Sequence, residues 1–317
     1  MASAFSKLVG ITGRRYKFKE RPHGGRIWLA TSGNEKFVLK DVPKSIFSNF
    51  NKDIRPKLRE CPHVRLPSDT IKDQHIFVYR YLTDDFLSLV RENTSLRARK
   101  QILKASLRGI AELHRRDIVH LDLKPDNILI NRRSNGTETA VKQVQLSDLE
   151  NAAYLPKGRC VKGMLAGNED WRSPEGHFKS ELKKSSDIFS FGAVCIYAIL
   201  GRVIFGVDDD FRKREAQGAL PTIIRLQRQV SYFGDRAGLN ELIKLVGDEE
   251  ENCEVLRMLF KGRVAEYRSY RPFLAWSDVG DYSFKDLVRR MMDLNPARRI
   301  TARRALRHPW FAGLEDI

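Results

Sequence analysis

The sequence predicts an α+β fold in two lobes, a small β-rich lobe followed by a larger, mainly helical one. Three observations carry that expectation. Short β-type runs occupy the chain up to Tyr81, and long apolar patterns of helical type dominate after it. No internal repeat, heptad run or low-complexity linker splits the 317 residues into separate modules.

Taken in order, residues 26–31 (RIWLAT), 36–40 (KFVLK) and 75–81 (HIFVYRY) combine β-branched and aromatic side chains in short runs and read as strands. Ser32, Gly33 and Asn34 supply a turn between the first two. The stretch 44–59 is helix-like, with Pro56 weakening its second half. Residues 96–115 and 185–200 carry apolar patterns suited to buried helices. Between them, 127–131 (NILIN) and 144–147 (VQLS) read as two short strands joined by the polar turn 132–139. Trp171 and Trp310 are core candidates. Residues 202–284 show the least pattern.

Composition narrows the class. A hydrophobic fraction of 42% beside 31% charged residues is ordinary for globular chains and opposes a disordered reading. Ser6, Lys7 and Gly10 interrupt any signal-like apolar core at the start. The longest near-apolar run, 188–201, is shorter than the roughly 20 residues a membrane-spanning helix needs. Cys61, Cys160, Cys195 and Cys253 lie far apart with no paired spacing, which opposes zinc or a disulfide framework. An intracellular protein, cytoplasmic or nuclear and without a membrane span, is expected. With 57 basic against 40 acidic residues, the formal charge of +17 attracts polyanions. Because the basic residues are spread along the chain and form no tract, a dedicated nucleic-acid role is disfavoured, though the charge does not exclude one.

The most informative segment is 118–129, IVHLDLKPDNIL. Pro125 denies it a continuous helix, so Asp122, Lys124 and Asn127 are presented together on a loop. Asp148 follows the second strand of the predicted hairpin, which can return it to the same place. Two carboxylates, an ammonium and an amide converging on a loop suit phosphoryl transfer from a metal-nucleotide.

These residues resemble the signature set of the eukaryotic protein kinases, serine/threonine type. His120-Leu121-Asp122 with Asn127 is similar to the catalytic-loop pattern, with Leu121 where that pattern has Arg. Asp148-Leu149-Glu150 resembles the metal-binding D-F-G, and Ser173-Pro174-Glu175 resembles A-P-E. Ser186 to Gly192, Phe37 to Lys40, and Asn295 to Ala302 with His308 to Phe311 are similar to further motifs, in the family's order. Six motifs in sequence are a specific signal, and they cover roughly residues 16 to 311. The resemblance implies a two-lobed kinase domain at 16–317, with a small lobe at 16–81, a large lobe at 82–317, a hinge at 80–84, and an N-terminal extension at 1–15. Residues 202–284 would then hold variable substrate-docking helices.

It also implies roles. Asp122 and Lys124 would be catalytic, Asp122 orienting the substrate hydroxyl and Lys124 neutralising the transferring phosphoryl group. Lys40, Gly25, Ile27, Val38, Tyr79, Tyr81, Asn127 and Asp148 would bind ATP, with Tyr79 as gatekeeper and Asn127 and Asp148 holding Mg²⁺. Glu175, Arg299, Asp187 and His120 would be structural. The expected activity is transfer of the ATP γ-phosphoryl to serine or threonine of a protein substrate, which the basic charge suggests is acidic, already phosphorylated or associated with nucleic acid. The alternative is a pseudokinase, a binding scaffold of the same fold.

Four departures bear on these expectations. Glu20 and Pro22 stand at the first two positions of the glycine loop, with Gly25 at the third, which implies a weaker hold on phosphates. The resemblance calls for a carboxylate paired with Lys40, and the sequence leaves Asp53 and Glu60 both open for that place. Residues 149–172 hold no Ser or Thr, and Tyr154 is their only hydroxyl; with Leu121 for Arg, this implies no switching by phosphorylation of that segment. Glu150 replaces a flexible glycine after Asp148 and would restrict it.

Overall fold

A computed structural model describes residues 7–20, 25–58, 61–92, 94–135, 138–247, 249–263, 271–315 and 317. The small lobe is a six-stranded sheet of β1 (Lys7–Val9), β2 (Arg15–Glu20), β3 (Ile27–Ser32), β4 (Glu35–Asp41), β5 (Asp69–Ile71) and β6 (Ile76–Arg80), in the order β1-β2-β3-β4-β6-β5. The strand β1 pairs with β2, so the sheet begins at Lys7, ahead of the start at residue 16 expected for this lobe. The helix α1 (Lys44–Asn49) stacks Phe47 on Phe77 of β6; the chain then runs through a π-turn at Phe50–Ile54 and a 3-10 turn at Arg55–Lys57. Pro56 lies in that last turn, where its ring and missing N–H stop a longer helix.

Alternation divides the sheet's faces. Trp28, Ala30, Phe37, Leu39, Ile76 and Val78 close a core of their own with Tyr16 and Ile71. Val38, Phe77 and Tyr79 belong instead to the main core, shared with the large lobe. Lys40 pairs with Ile27 and Phe77 in register and, two residues from Val38, lies on that second face. A single-residue slip would turn Lys40 away from the cleft.

The large lobe opens with β7 (Asp84–Asp85), α2 (Phe86–Arg91) and the twenty-residue α3 (Leu96–Arg115). Ser95 caps α3, its side chain accepting the Ala98 amide, and Arg116 follows where the apolar pattern ends. Then come β8 (Ile118–Val119), the hairpin β9 (Ile128–Asn135) and β10 (Glu138–Leu146), and β11 (Ala153–Tyr154), which pairs with β8. After α4 (Pro174–His177), the apolar run becomes α5 (Lys184–Leu200), buried along most of its length and ended by Gly201 in the left-handed conformation. The poorly patterned region holds α6 (Asp209–Ala216), α7 (Pro221–Phe233), α8 (Arg236–Val246) and α9 (Glu250–Gly262). The last three build a satellite core from Leu226, Val230, Leu239, Leu242, Leu256 and Leu259. The chain closes with α10 (Tyr282–Met291) and α11 (Ala302–Ala305). Trp171 and Trp310 are buried. Among the described residues no helix is long and apolar enough to cross a membrane.

Candidate active site

The catalytic-type loop is built by Asp187, near the start of α5. Its carboxylate accepts the amides of His120 at 2.8 Å and Leu121 at 2.9 Å, and lies 2.9 Å from His114 Nε2. Held this way, Leu121 adopts φ +68, a cost that a side chain tolerates only where neighbours enforce it. His120 is fully buried; its Nε2–H donates to the Ser147 carbonyl at 2.8 Å, so Nδ1 is the atom that accepts the Asp122 amide at 3.3 Å. His120 thus joins the loop to the end of β10.

Downstream of it, Asn127 Nδ2 donates to the Asp122 carbonyl at 2.8 Å and to its carboxylate at 3.2 Å. Lys124 Nζ stands 3.4 Å from the same carboxylate. The Asn168 amide donates to Asp122 Oδ1 at 2.8 Å. That approach depends on Gly167, at φ +71, where a Cβ would sit 2.4 Å from the Leu121 carbonyl. Gly167 and Asn168 were not singled out from sequence; a glycine in a segment that must pass close to the loop was the available signal.

Asp148 arrives beside this loop because Ser147 donates its amide to the Asn127 carbonyl at 2.8 Å. Asp148 has φ +63, which turns the next residues into the short turn Leu149–Asn151. Lys40 reaches down from β4 to Asp148 and, at 3.1 Å, to Glu150. Glu150 also accepts the Tyr79 hydroxyl. Behind them the Arg65 guanidinium lies 4.7 Å from the Tyr79 ring centre and donates to the Arg80 carbonyl at 2.9 Å. Burial alone would lower the Lys40 pKa; Glu150 and then Asp148 outweigh it and raise it above the usual lysine value. Burial alone would raise Asp148, and Lys40 reverses that, holding its carboxyl below the usual range. Burial, reinforced by Glu150, pushes the Tyr79 hydroxyl well above the ordinary tyrosine value.

This corrects the expectation for Lys40. Its carboxylate partners among the described residues are Asp148 and Glu150, not Asp53; Glu60 lies outside the described residues. The short α1 and the break at Pro56 are the physical reason, since they leave no long helix to carry an acid across to Lys40.

Comparison with known proteins agrees with this arrangement. Residues 57–311 match the protein kinase domain family. The chain belongs to that family. It is 23% identical over 260 residues to dual specificity tyrosine-phosphorylation-regulated kinase 3 of Macaca fascicularis, covering 78% of this chain and 44% of the relative. It is 26% identical over 228 residues to dual specificity protein kinase CLK4 of Mus musculus, covering 67% and 44%. With serine/threonine-protein kinase/endoribonuclease ire-1 of Caenorhabditis elegans the identity is 25% over 228 residues, 70% of this chain and 18% of that protein. The chain therefore spans less than half the length of these curated relatives. The family match begins at Lys57, after the strand that carries Lys40.

The remaining residues of this kinase-family cleft are arranged around Lys40. Ile27 is its cross-strand neighbour and is exposed; Val38, cross-strand from Tyr79, is partly buried. Tyr79 is buried, whereas Tyr81 is exposed with the Lys36 ammonium 5.7 Å from its ring centre. Gly25, at φ +79, is exposed just before β3; Pro22 lies outside the described residues, as do its neighbours in 21–24. For a divalent cation the donor chemistry fits: Asn127 spends its amide nitrogen on Asp122, leaving the amide oxygen, and Asp148 adds a carboxylate kept ionised by Lys40.

Glu175 and Arg299 meet away from the cleft. Arg299 Nη1 and Nη2 donate to the two Glu175 oxygens at 2.7 and 2.8 Å, with both side chains fully buried. Ser186 Oγ adds a bond to Glu175 at 2.8 Å, and Arg299 Nε donates to the Asp293 carbonyl at 2.8 Å.

Proposed function

We propose that this chain is a Mg-ATP-dependent protein kinase that transfers the γ-phosphoryl group to serine or threonine hydroxyls. The observation that carries the reading is the contact chain Lys40–Asp148, Ser147–Asn127 and Asn127–Asp122, which gathers the four chemical groups of the reaction into one cleft. Asp122, oriented by Asn127 and the Asn168 amide, aligns the attacking hydroxyl and accepts its proton. Lys124, beside it, offsets charge on the transferring group. Lys40 holds the inner phosphates. Asn127 and Asp148 would hold the magnesium ion, which when bound supplies charge neutralisation at the phosphates. Asp187 and His120 keep the loop in register, and Glu175 with Arg299 fastens the segment that follows. The relatives' names include serine/threonine and dual-specificity kinases, which supports hydroxyl substrates in proteins. The +17 charge favours an acidic or already phosphorylated one.

Two specific observations stand behind a second reading. Arg65 packs on the Tyr79 ring and bonds the Arg80 carbonyl, and Lys40 is already held by two carboxylates, as suits a scaffold with little turnover. Radiolabelled ATP with acidic and basic protein substrates separates the two. Wild type is expected to incorporate label and Asp122→Asn to lose roughly 10²–10⁴-fold of it. Equal incorporation by both would remove the enzyme, and a melting temperature unmoved by Mg-ATP would remove nucleotide binding as well.

A further inference from the structure

In kinase-type phosphoryl transfer the strand lysine is held by a carboxylate on a helix of the small lobe, and helix position controls the pair. The corresponding helix here is six residues long and is followed by turns around Pro56. Lys40 is held instead from below, by Glu150 at 3.1 Å, in the same short turn that begins at Asp148. The Glu150 side chain is 2% exposed and is fixed at its other oxygen by Tyr79. Tyr79 is in turn covered by Arg65, which is anchored on the Arg80 carbonyl.

Resting on the kinase reading, we infer that Glu150 is the positioning residue for Lys40, replacing the helix-borne carboxylate, so that the pair stays assembled whatever the small-lobe helix does. Two acids around one ammonium make the arrangement workable: with Glu150 as a second carboxylate on Lys40, Asp148 can turn to a cation without stranding the lysine. The brace is a relay of packed groups, Arg65 to Tyr79 to Glu150, that ends on the lysine. A lysine fixed from the large lobe has no helix swing to wait for. The absence of Ser and Thr from 149–172 is consistent with a site that is not switched there.

The test is a double-mutant cycle on the full chain, using Lys40→Met, Glu150→Gln and their combination, with Asp53→Asn and Glu60→Gln as controls. Mg-ATP affinity is read by thermal-shift titration, and the KM for ATP is separated from kcat. Glu150→Gln is expected to weaken Mg-ATP about tenfold and to add nothing once Lys40 is methionine, with both controls within twofold of wild type. Tyr79→Phe, which removes only a hydroxyl, should move affinity about threefold the same way. A Glu150→Gln variant that binds Mg-ATP like wild type, or a Glu60→Gln variant that carries the loss, overturns the assignment. Should wild type bind no nucleotide, the kinase reading fails by itself, and the same cycle read on melting temperature decides the pairing: coupling between Lys40 and Glu150 supports it, additivity overturns it.

Discussion

Two clusters of charge in this molecule use the same ingredients to opposite ends. Inside the large lobe, Glu175 and Arg299 form a two-pronged pair with no exposed side-chain surface, and Ser186, Ser185 and Asp293 take up further bonds. Its charges balance one to one. At the cleft, Lys40 faces two carboxylates, and its side chain and that of Asp148 are 23% and 26% exposed. The first cluster is closed to further partners; the second has an excess of negative charge and an opening to solvent, as a cation-binding site requires. Burial and charge balance, more than the residue types, separate a fastener from a site.

The largest effect should come from breaking the closed cluster. Arg299→Met leaves the Glu175 carboxylate buried without its partner and is expected to cost about 3–5 kcal/mol, read as a lower urea midpoint at unchanged slope. A loss below about 1 kcal/mol would mean that Glu175 escapes to water and the cluster is not closed.

The closed region also holds a buried histidine, which gives it a pH signature of its own. His177, in α4 with Glu175, has its pKa lowered to about 3 by burial, with Arg172 and Arg225 adding to the effect. A base whose folded pKa is depressed stays uncharged in the native state, so its contribution is intact above the unfolded value near 6.5 and declines as pH falls below it. Asp148, also depressed, keeps its contribution down to the ordinary carboxylate range, and Lys40, raised, keeps its own up to the lysine range. Between pH 6.5 and 5 neither cleft group changes. Unfolding free energy of wild type relative to His177→Asn should therefore fall by about 2 kcal/mol over that window. Parallel curves for the two proteins would show that His177 is not held uncharged.

Legibility in the sequence follows the same division. Segments that bury a continuous face were readable: the predicted helix 96–115 has the bounds of α3, and the apolar run after 185 is α5. The strands β3, β4 and β6 fall within a residue or two of their expected places. What stayed hidden was local structure set by distant partners. The strand β2 alternates Tyr16 and Phe18 with Arg15, Lys17 and Lys19, a period-two signal that was present but not singled out, whereas three-residue β5 is too short to show one and is a strand because β6 pairs with it. Helices α7 to α9 share a core with one another and with Leu294, so no single window announces it. Glu150 was visible as an acid where the family has glycine, yet its direction depends on the left-handed Asp148 before it. Arg65, on an irregular stretch, carried no signal at all.

The smallest expected effect probes the open cluster. Asp148→Asn removes one of the two acids around Lys40 and also the repulsion between Asp148 and Glu150. Lys40 keeps its bond to Glu150, so no buried charge is stranded. For a pair that is partly exposed, the unfolding free energy should change by less than about 1 kcal/mol. The same variant should lose the magnesium-dependent part of any melting-temperature rise with ATP, because the depressed carboxylate is the one offered to the cation. A stability loss approaching that of Arg299→Met would show that Asp148 is itself part of a fastener. The contrast between an open and a closed cluster would then fail at its weaker side.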